Sequence, residues 1–162
     1  MNEIHLSRRI DIAAPRDEVW AVLSRLDQIG RWAPGVDHAS YTTEATEGIG
    51  AARRIQAGRQ TLLETITTWR EPATLAYRLE GLPPIVGTVT NRWDLTVMSG
   101  ATTTATLTTI IDPGGNRAGK VVARGLIRVL GRASTGMLEG LAAHLAARPA
   151  EPTVATEPED VA

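Results

Sequence analysis

The sequence contains no cysteine and no phenylalanine. Without cysteine, neither disulfides nor thiolate chemistry is available. Without phenylalanine, four Trp and two Tyr must supply all the aromatic surface. No apolar run approaches the ~18 residues of a transmembrane helix, so no integral membrane segment is expected. Met1-Asn2-Glu3-Ile4-His5 has neither a basic n-region nor an apolar h-region, which argues against a secretory signal and for a cytoplasmic protein. Histidine is scarce as well: His5, His38 and His144 form no H-x-x-x-H pair, and no serine sits in a G-x-S-x-G setting. Nucleophilic and metal catalysis are therefore not expected, and neither a metal nor a cofactor is implied. Strong charge of either sign is also missing. The formal net charge of −1 hides an acidic end, where Glu151, Glu157, Glu159 and Asp160 follow Arg148 with no Lys or Arg among them. Setting those acids aside leaves 17 basic against 14 acidic residues, too mild a balance for a nucleic-acid partner.

What is present is a strong helical pattern at 116–148. Val122, Leu126, Leu130, Ala133, Met137, Leu141 and Leu145 recur at steps of three and four and predict one apolar stripe. Asp112-Pro113-Gly114-Gly115-Asn116 predicts a turn ending in an N-cap, and Pro149 closes the far end. About thirty residues make a rod of roughly 45 Å, which cannot bury its stripe alone. Lys120, Arg124, Arg128 and Arg132 recur on the other side. They form either a solvated face or a surface for an anionic membrane or an acidic partner. Gly119, Gly125, Gly131, Gly136 and Gly140 each cost up to about 1 kcal/mol relative to alanine in a helix interior. That load implies close approach to the sheet, room left for a ligand, or simple tolerance under tertiary contacts.

Almost everything before residue 112 reads as strand. Ile4, Leu6, Ile10 and Ile12 alternate with His5, Ser7, Arg9 and Asp11. Pro15, Asp17 and Glu18 open a helix whose buried face is Val19, Trp20, Val22, Leu23 and Leu26. A second short helix or turn is expected over 27–32. A meander follows, with strands near 36–43, 50–57, 60–70, 73–80, 85–98 and 101–111, separated by Gly- and Pro-containing breaks. Strand 50–57 has no clear inward face, because Arg53/Ile55 and Arg54/Gln56 alternate evenly. With 162 residues the expectation is one α+β domain over 1–148. It is a curved antiparallel β-sheet of about seven strands, wrapped around a long C-terminal helix, with two short helices after strand 1. Residues 149–162, acidic, Pro-rich and nearly without apolar side chains, read as a disordered tail.

Three segments carry a family resemblance. Ile10-Asp11-Ile12-Ala13-Ala14-Pro15 with Glu18-Val19-Trp20 and Leu23 looks like the opening of the START-like superfamily, also called SRPBCC or Bet v 1-like, which has the helix-grip fold. Ile29-Gly30-Arg31-Trp32-Ala33-Pro34-Gly35-Val36 resembles its second-helix segment. Gly48-Ile49-Gly50-Ala51-Ala52-Arg53, Glu64-Thr65-Ile66-Thr67-Thr68-Trp69 and Leu75-Ala76-Tyr77 resemble the meander of its polyketide cyclase/dehydrase-like branch. The match spans about residues 3–147. It implies a hydrophobic cavity between the concave sheet face and the long helix, where family members bind lipids, sterols, polyketides, plant hormones or isoprenoids and a minority catalyse.

Strand parity supplies the candidate lining. If Leu75, Tyr77 and Leu79 face inward, so do Leu62, Glu64 and Ile66 on the preceding strand. Glu64 is then either an acid in an apolar cavity, suited to general acid/base work, or the partner of Arg53 or Arg54 on the next strand. Trp93 and Asn91 share the inward side with Tyr77, and Asn91 requires a ligand, a water or a side chain as partner. Trp20 and Trp32 are expected to pack the short helices on the sheet, with Trp32 at a cavity mouth, while Leu126, Leu130 and Met137 of the helix stripe face the ligand. Trp69 has the opposite parity to Glu64 and is excluded. The functional expectation is binding of a small hydrophobic molecule as a carrier or sensor. The alternatives are a polyketide cyclase, dehydratase or aromatase using Glu64, and a protein-interaction module using the basic helix face. No particular oligomeric state is implied.

Overall fold

The alternating segments build one seven-stranded antiparallel sheet in the computed structural model, which describes residues 3–115 and 117–148. Its strands are β1 (Ile4–Ile12), β2 (His38–Tyr41), β3 (Ala52–Ala57), β4 (Gln60–Arg70), β5 (Thr74–Glu80), β6 (Thr88–Ser99) and β7 (Thr102–Asp112). Their spatial order is β1-β7-β6-β5-β4-β3-β2. Consecutive strands from β2 to β7 are hairpin neighbours, and β1 returns to pair with β7, Ile4 opposite Ile111 and Ile12 opposite Thr103. Between β1 and β2 lie α1 (Arg16–Leu23) and a 3-10 turn over Leu26–Arg31, and after β7 comes α2 (Arg117–Ala146). This is the predicted helix-grip arrangement. The proposed N-cap Asn116, the closing Pro149 and the acidic tail lie outside the described residues.

Local chemistry accounts for most boundaries. Pro15 stands at the N-cap of α1, with Asp17 and Glu18 in the first turn, where carboxylates favour the positive end of the helix dipole. The second helix proves to be a 3-10 turn. β6 begins at Thr88 rather than near residue 85, because Pro83 and Pro84 set up another 3-10 turn over Pro84–Val86. Gly87 then takes φ 81°, and a Cβ there would run into the Asp112 carbonyl.

The buried face of α2 is offset from the predicted stripe. Its buried residues are Gly119, Ala123, Gly131, Ser134, Leu138, Leu141 and Leu145. Leu126, Leu130 and Met137 are only half-buried, and Val122 and Ala133 are exposed. The two sets share Leu141 and Leu145 but separate toward the N-terminal half, by about one residue, or roughly 100° of helix rotation. Large apolar side chains therefore flank the contact line, and small ones occupy it. The basic residues Arg124, Arg128 and Arg132 are exposed on the outer side.

Two apolar clusters form the core. The larger joins α1, the first 3-10 turn and the C-terminal half of α2 to the sheet, through residues such as Trp20, Ile29, Trp93, Leu107, Leu138 and Leu141. The smaller, Val86, Val89, Ile111 and Ala123 with Leu126, Ile127 and Leu130 partly covering it, lies under the N-terminal half of α2.

The helix glycines divide by environment. A Cβ at Gly131 would sit 2.6 Å from Leu6 Cδ2, and one at Gly119 3.0 Å from the Ile85 carbonyl. At Gly140 it would collide with the backbone carbonyl of Trp32, whereas at Gly125 it would meet nothing within 4 Å. Gly140→Ala should therefore destabilise by roughly 1–3 kcal/mol, lowering the thermal midpoint by several degrees. Gly125→Ala should stabilise by up to about 1 kcal/mol. Calorimetric melts of the two variants check the opposite signs.

Candidate ligand-binding interior

Register places the inward side chains in rows across the concave face. One row runs Arg53, Glu64, Leu79, Val89, Ile111 from β3 to β7. The next runs Ile66, Tyr77, Asn91, Thr109, and a third runs Trp69, Leu75, Trp93, Leu107. β3 thus points Arg53 and Ile55 inward, resolving the ambiguous strand. Trp69 also turns inward, contrary to the parity argument. A register irregularity between Ile66 and Thr68 shifts the alternation by one residue. As a result Trp69 pairs with Leu75 and packs edge-to-face on Trp20, centroids 5.2 Å apart.

The first two rows carry a polar seam through an otherwise apolar interior. Glu64, 6% exposed, is not a lone acid in an apolar cavity. Arg53, 3% exposed, donates from Nε to Glu64 Oε2 at 2.6 Å and from Nη1 to the Leu26 carbonyl at 2.8 Å. The guanidinium also lies 5.2 Å above the centroid of the Tyr77 ring. Tyr77 is 1% exposed. Burial, reinforced by the nearby Glu64 charge, pushes its hydroxyl up to about 12, against the opposing influence of Arg53, Trp93 and Asn91. Asn91 finds side-chain partners: Thr109 Oγ1 donates to its Oδ1 at 2.8 Å, and its Nδ2 lies 3.5 Å from the Tyr77 oxygen. Thr109 in turn sits 3.4 Å from Ser134 Oγ, and Ser134 donates to the Leu130 carbonyl at 2.9 Å. The seam thus reaches α2.

Two indole donors remain open. The Trp93 indole nitrogen is buried without a hydrogen-bond partner, and so is that of Trp32. The Trp93 N–H is near enough to the Tyr77 hydroxyl to favour its ionised form but closes no hydrogen bond to it. The two indoles meet edge-to-face at 6.0 Å.

The structure brings together Trp32, Glu64, Tyr77, Asn91 and Trp93, with Trp20 nearby in the larger cluster. Leu126, Leu130 and Met137 stay at the rim. Sequence reading missed Thr109, hidden in a threonine-rich run, and Ser134, hidden by the rotated stripe. The cavity implied by the resemblance is not among the four depressions defined by the described residues. These, with volumes between 360 and 510 Å³, open on the outer surface, and none is lined by Glu64, Tyr77, Asn91 or Trp93. Trp93, Tyr77, Leu75 and Leu107 fill the interior instead, each at most 1% exposed. Among the described residues no group of three or more His, Asp or Glu side chains is placed to hold a metal ion. No described helix is long and apolar enough to cross a membrane.

A curved seven-stranded antiparallel sheet gripping a long C-terminal helix is the Bet v 1-like fold. The chain belongs to the polyketide cyclase/dehydrase and lipid transport family, whose pattern matches residues 3–146. Among solved structures it is similar to the ZhuI aromatase/cyclase from Streptomyces sp. R1128, with 24% identity, 88% of this chain and 93% of that chain covered, and a TM-score of 0.70. A Thermobifida fusca protein solved by NMR matches at 25% identity over 85% and 90% of the two chains, TM-score 0.73. Ara h 8.0201 matches at 12% identity over 90% and 99%, TM-score 0.70. No curated protein gives a significant match.

Two outcomes follow from the seam. Arg53→Ala strands a buried carboxylate and should cost about 3–5 kcal/mol, whereas an Arg53→Met/Glu64→Leu double variant should cost much less. Urea denaturation of both checks this. The Tyr77 phenol ionises near 10.0 in the unfolded chain and at about 12 in the folded one. Between those values the unfolded state holds fewer protons, so stability falls with rising pH, by up to about 1.4 kcal/mol per unit. Tyr77→Phe should flatten that slope in urea midpoints compared at about pH 9 and about pH 11.

Proposed function

We propose that this chain binds a small hydrophobic ligand, lipid-, polyketide- or isoprenoid-like, between the concave sheet face and α2, as a carrier or sensor. The observation that carries this reading is the Trp93 indole N–H, buried beside the Tyr77 hydroxyl without closing a hydrogen bond. An unsatisfied buried donor costs about 1–3 kcal/mol. A ligand carbonyl or hydroxyl oxygen would remove that cost, with the neutral Tyr77 hydroxyl and the Asn91 amide as further polar contacts. Room has to be made by moving side chains. The half-buried Leu126, Leu130 and Met137 are the readiest to yield, Met137 being unbranched and adaptable.

A second reading is a polyketide cyclase, dehydratase or aromatase, with Glu64 as acid/base and Tyr77 and Asn91 orienting the substrate. Its support is a buried carboxylate on the concave wall in a chain of this family. Arg53 already occupies Glu64 Oε2 at 2.6 Å, which favours binding over proton transfer.

Native mass spectrometry of the purified protein, followed by denaturation and identification of what is released, tests the first reading. A stoichiometric hydrophobic compound is expected, bound about five- to tenfold more weakly by Trp93→Phe, the loss of roughly one hydrogen bond. Absence of saturable binding by solvent-extracted protein across a lipid and polyketide panel would count against it. Undiminished turnover of a polyketide substrate by Glu64→Gln would remove the enzymatic assignment.

A further inference from the structure

Outside the interior, three helical elements end side by side: α1 at Leu23, the first 3-10 turn at Arg31 and α2 at Ala146. Between their ends lies a depression of about 380 Å³ that includes Arg25, Arg31, His144 and Arg148, with Val22 and Trp32 as an apolar wall and no Asp or Glu in its lining. Part of this basic character answers the helix ends, since each α-helix C-terminus carries about half a negative charge. Two such ends offset about one unit, which three guanidinium groups exceed. Asp27 offsets another, because it lies 3.8 Å from Arg25 Nε while also accepting from Gln28 Nε2 at 2.7 Å. Arg31 and Arg148, both exposed, have no ion pair among the described residues. Among the described residues the balance in the depression stays positive. Guanidinium forks match the oxygen pairs of carboxylates and phosphates, and the wall of Val22 and Trp32 suits an apolar body.

We propose that this depression binds the carboxylate or phosphate group of a small organic anion, held by Arg31 and Arg148, with its apolar part against Val22 and Trp32. The site opens outward on the far side of Trp32, whose ring also meets Trp93 in the interior, so loss of the shift in the arginine double variant is what assigns it to this depression.

The test uses the full chain labelled with nitrogen-15, titrated with phenyl phosphate, benzoate, inorganic phosphate and, as neutral control, phenol. The two organic anions should shift the Trp32 indole resonance saturably. The Arg31→Gln/Arg148→Gln double variant should weaken them at least about tenfold, in keeping with loss of charge-assisted pairing. Both arginines are exposed, so the variant should melt at the wild-type temperature, and that melt is measured alongside. No saturable shift up to about 10 mM, weaker than any useful affinity, would overturn the proposal. So would phenol binding as well as phenyl phosphate, or affinity unchanged in the folded double variant. Inorganic phosphate binding as tightly as phenyl phosphate would overturn the role of the apolar wall.

Discussion

The buried contact between Arg53 and Glu64 is the constraint around which the interior is arranged. An ion pair taken out of water gains little unless its remaining donors are satisfied. Here the guanidinium also holds the carbonyl of Leu26 and covers the Tyr77 ring. One side chain therefore fixes β3 to β4, pins the 3-10 turn that follows α1, and determines which face of an otherwise ambiguous strand looks inward. The rows on β5, β6 and β7 inherit their alignment from that register.

From this anchor a line of polar groups crosses the concave face to Ser134 on α2 and separates the two apolar clusters. The larger cluster is closed by aromatic rings and by the close approach of Gly140 to Trp32. The smaller is closed by half-buried aliphatic side chains. α2 is thus held among rings at its C-terminal half and under half-buried aliphatic side chains at its N-terminal half, where Gly119 still closely approaches the Ile85 carbonyl.

Element order and type were legible from hydrophobic period, because each strand and the long helix obey one simple repeat over many residues. Errors arose where a single residue changes phase. The irregularity between Ile66 and Thr68 turned Trp69 inward, and nothing in Thr65-Ile66-Thr67-Thr68 signals it. In the N-terminal part of α2 the contact line follows Gly119, Ala123, Gly131 and Ser134, so small residues define it and a search for large apolar ones lands beside it. The pairing of Glu64 with a neighbouring arginine was legible as one of two options. The choice between them required the register, which tertiary packing determines. The filled interior was not legible at all, since sequence period places a side chain on a face but does not measure the space above it.

Among the described residues two strands, β1 and β2, have an edge without a ladder partner, and they differ in kind. β2 offers only four residues, while β1 is nine residues long, with exposed Arg8 and Arg9 at its middle. A strand from another molecule adding to β1 would have to lie alongside two adjacent guanidinium groups, and one adding to β2 would find too few hydrogen-bonding positions to hold it. The molecule can therefore keep an open sheet and still resist polymerising edge to edge.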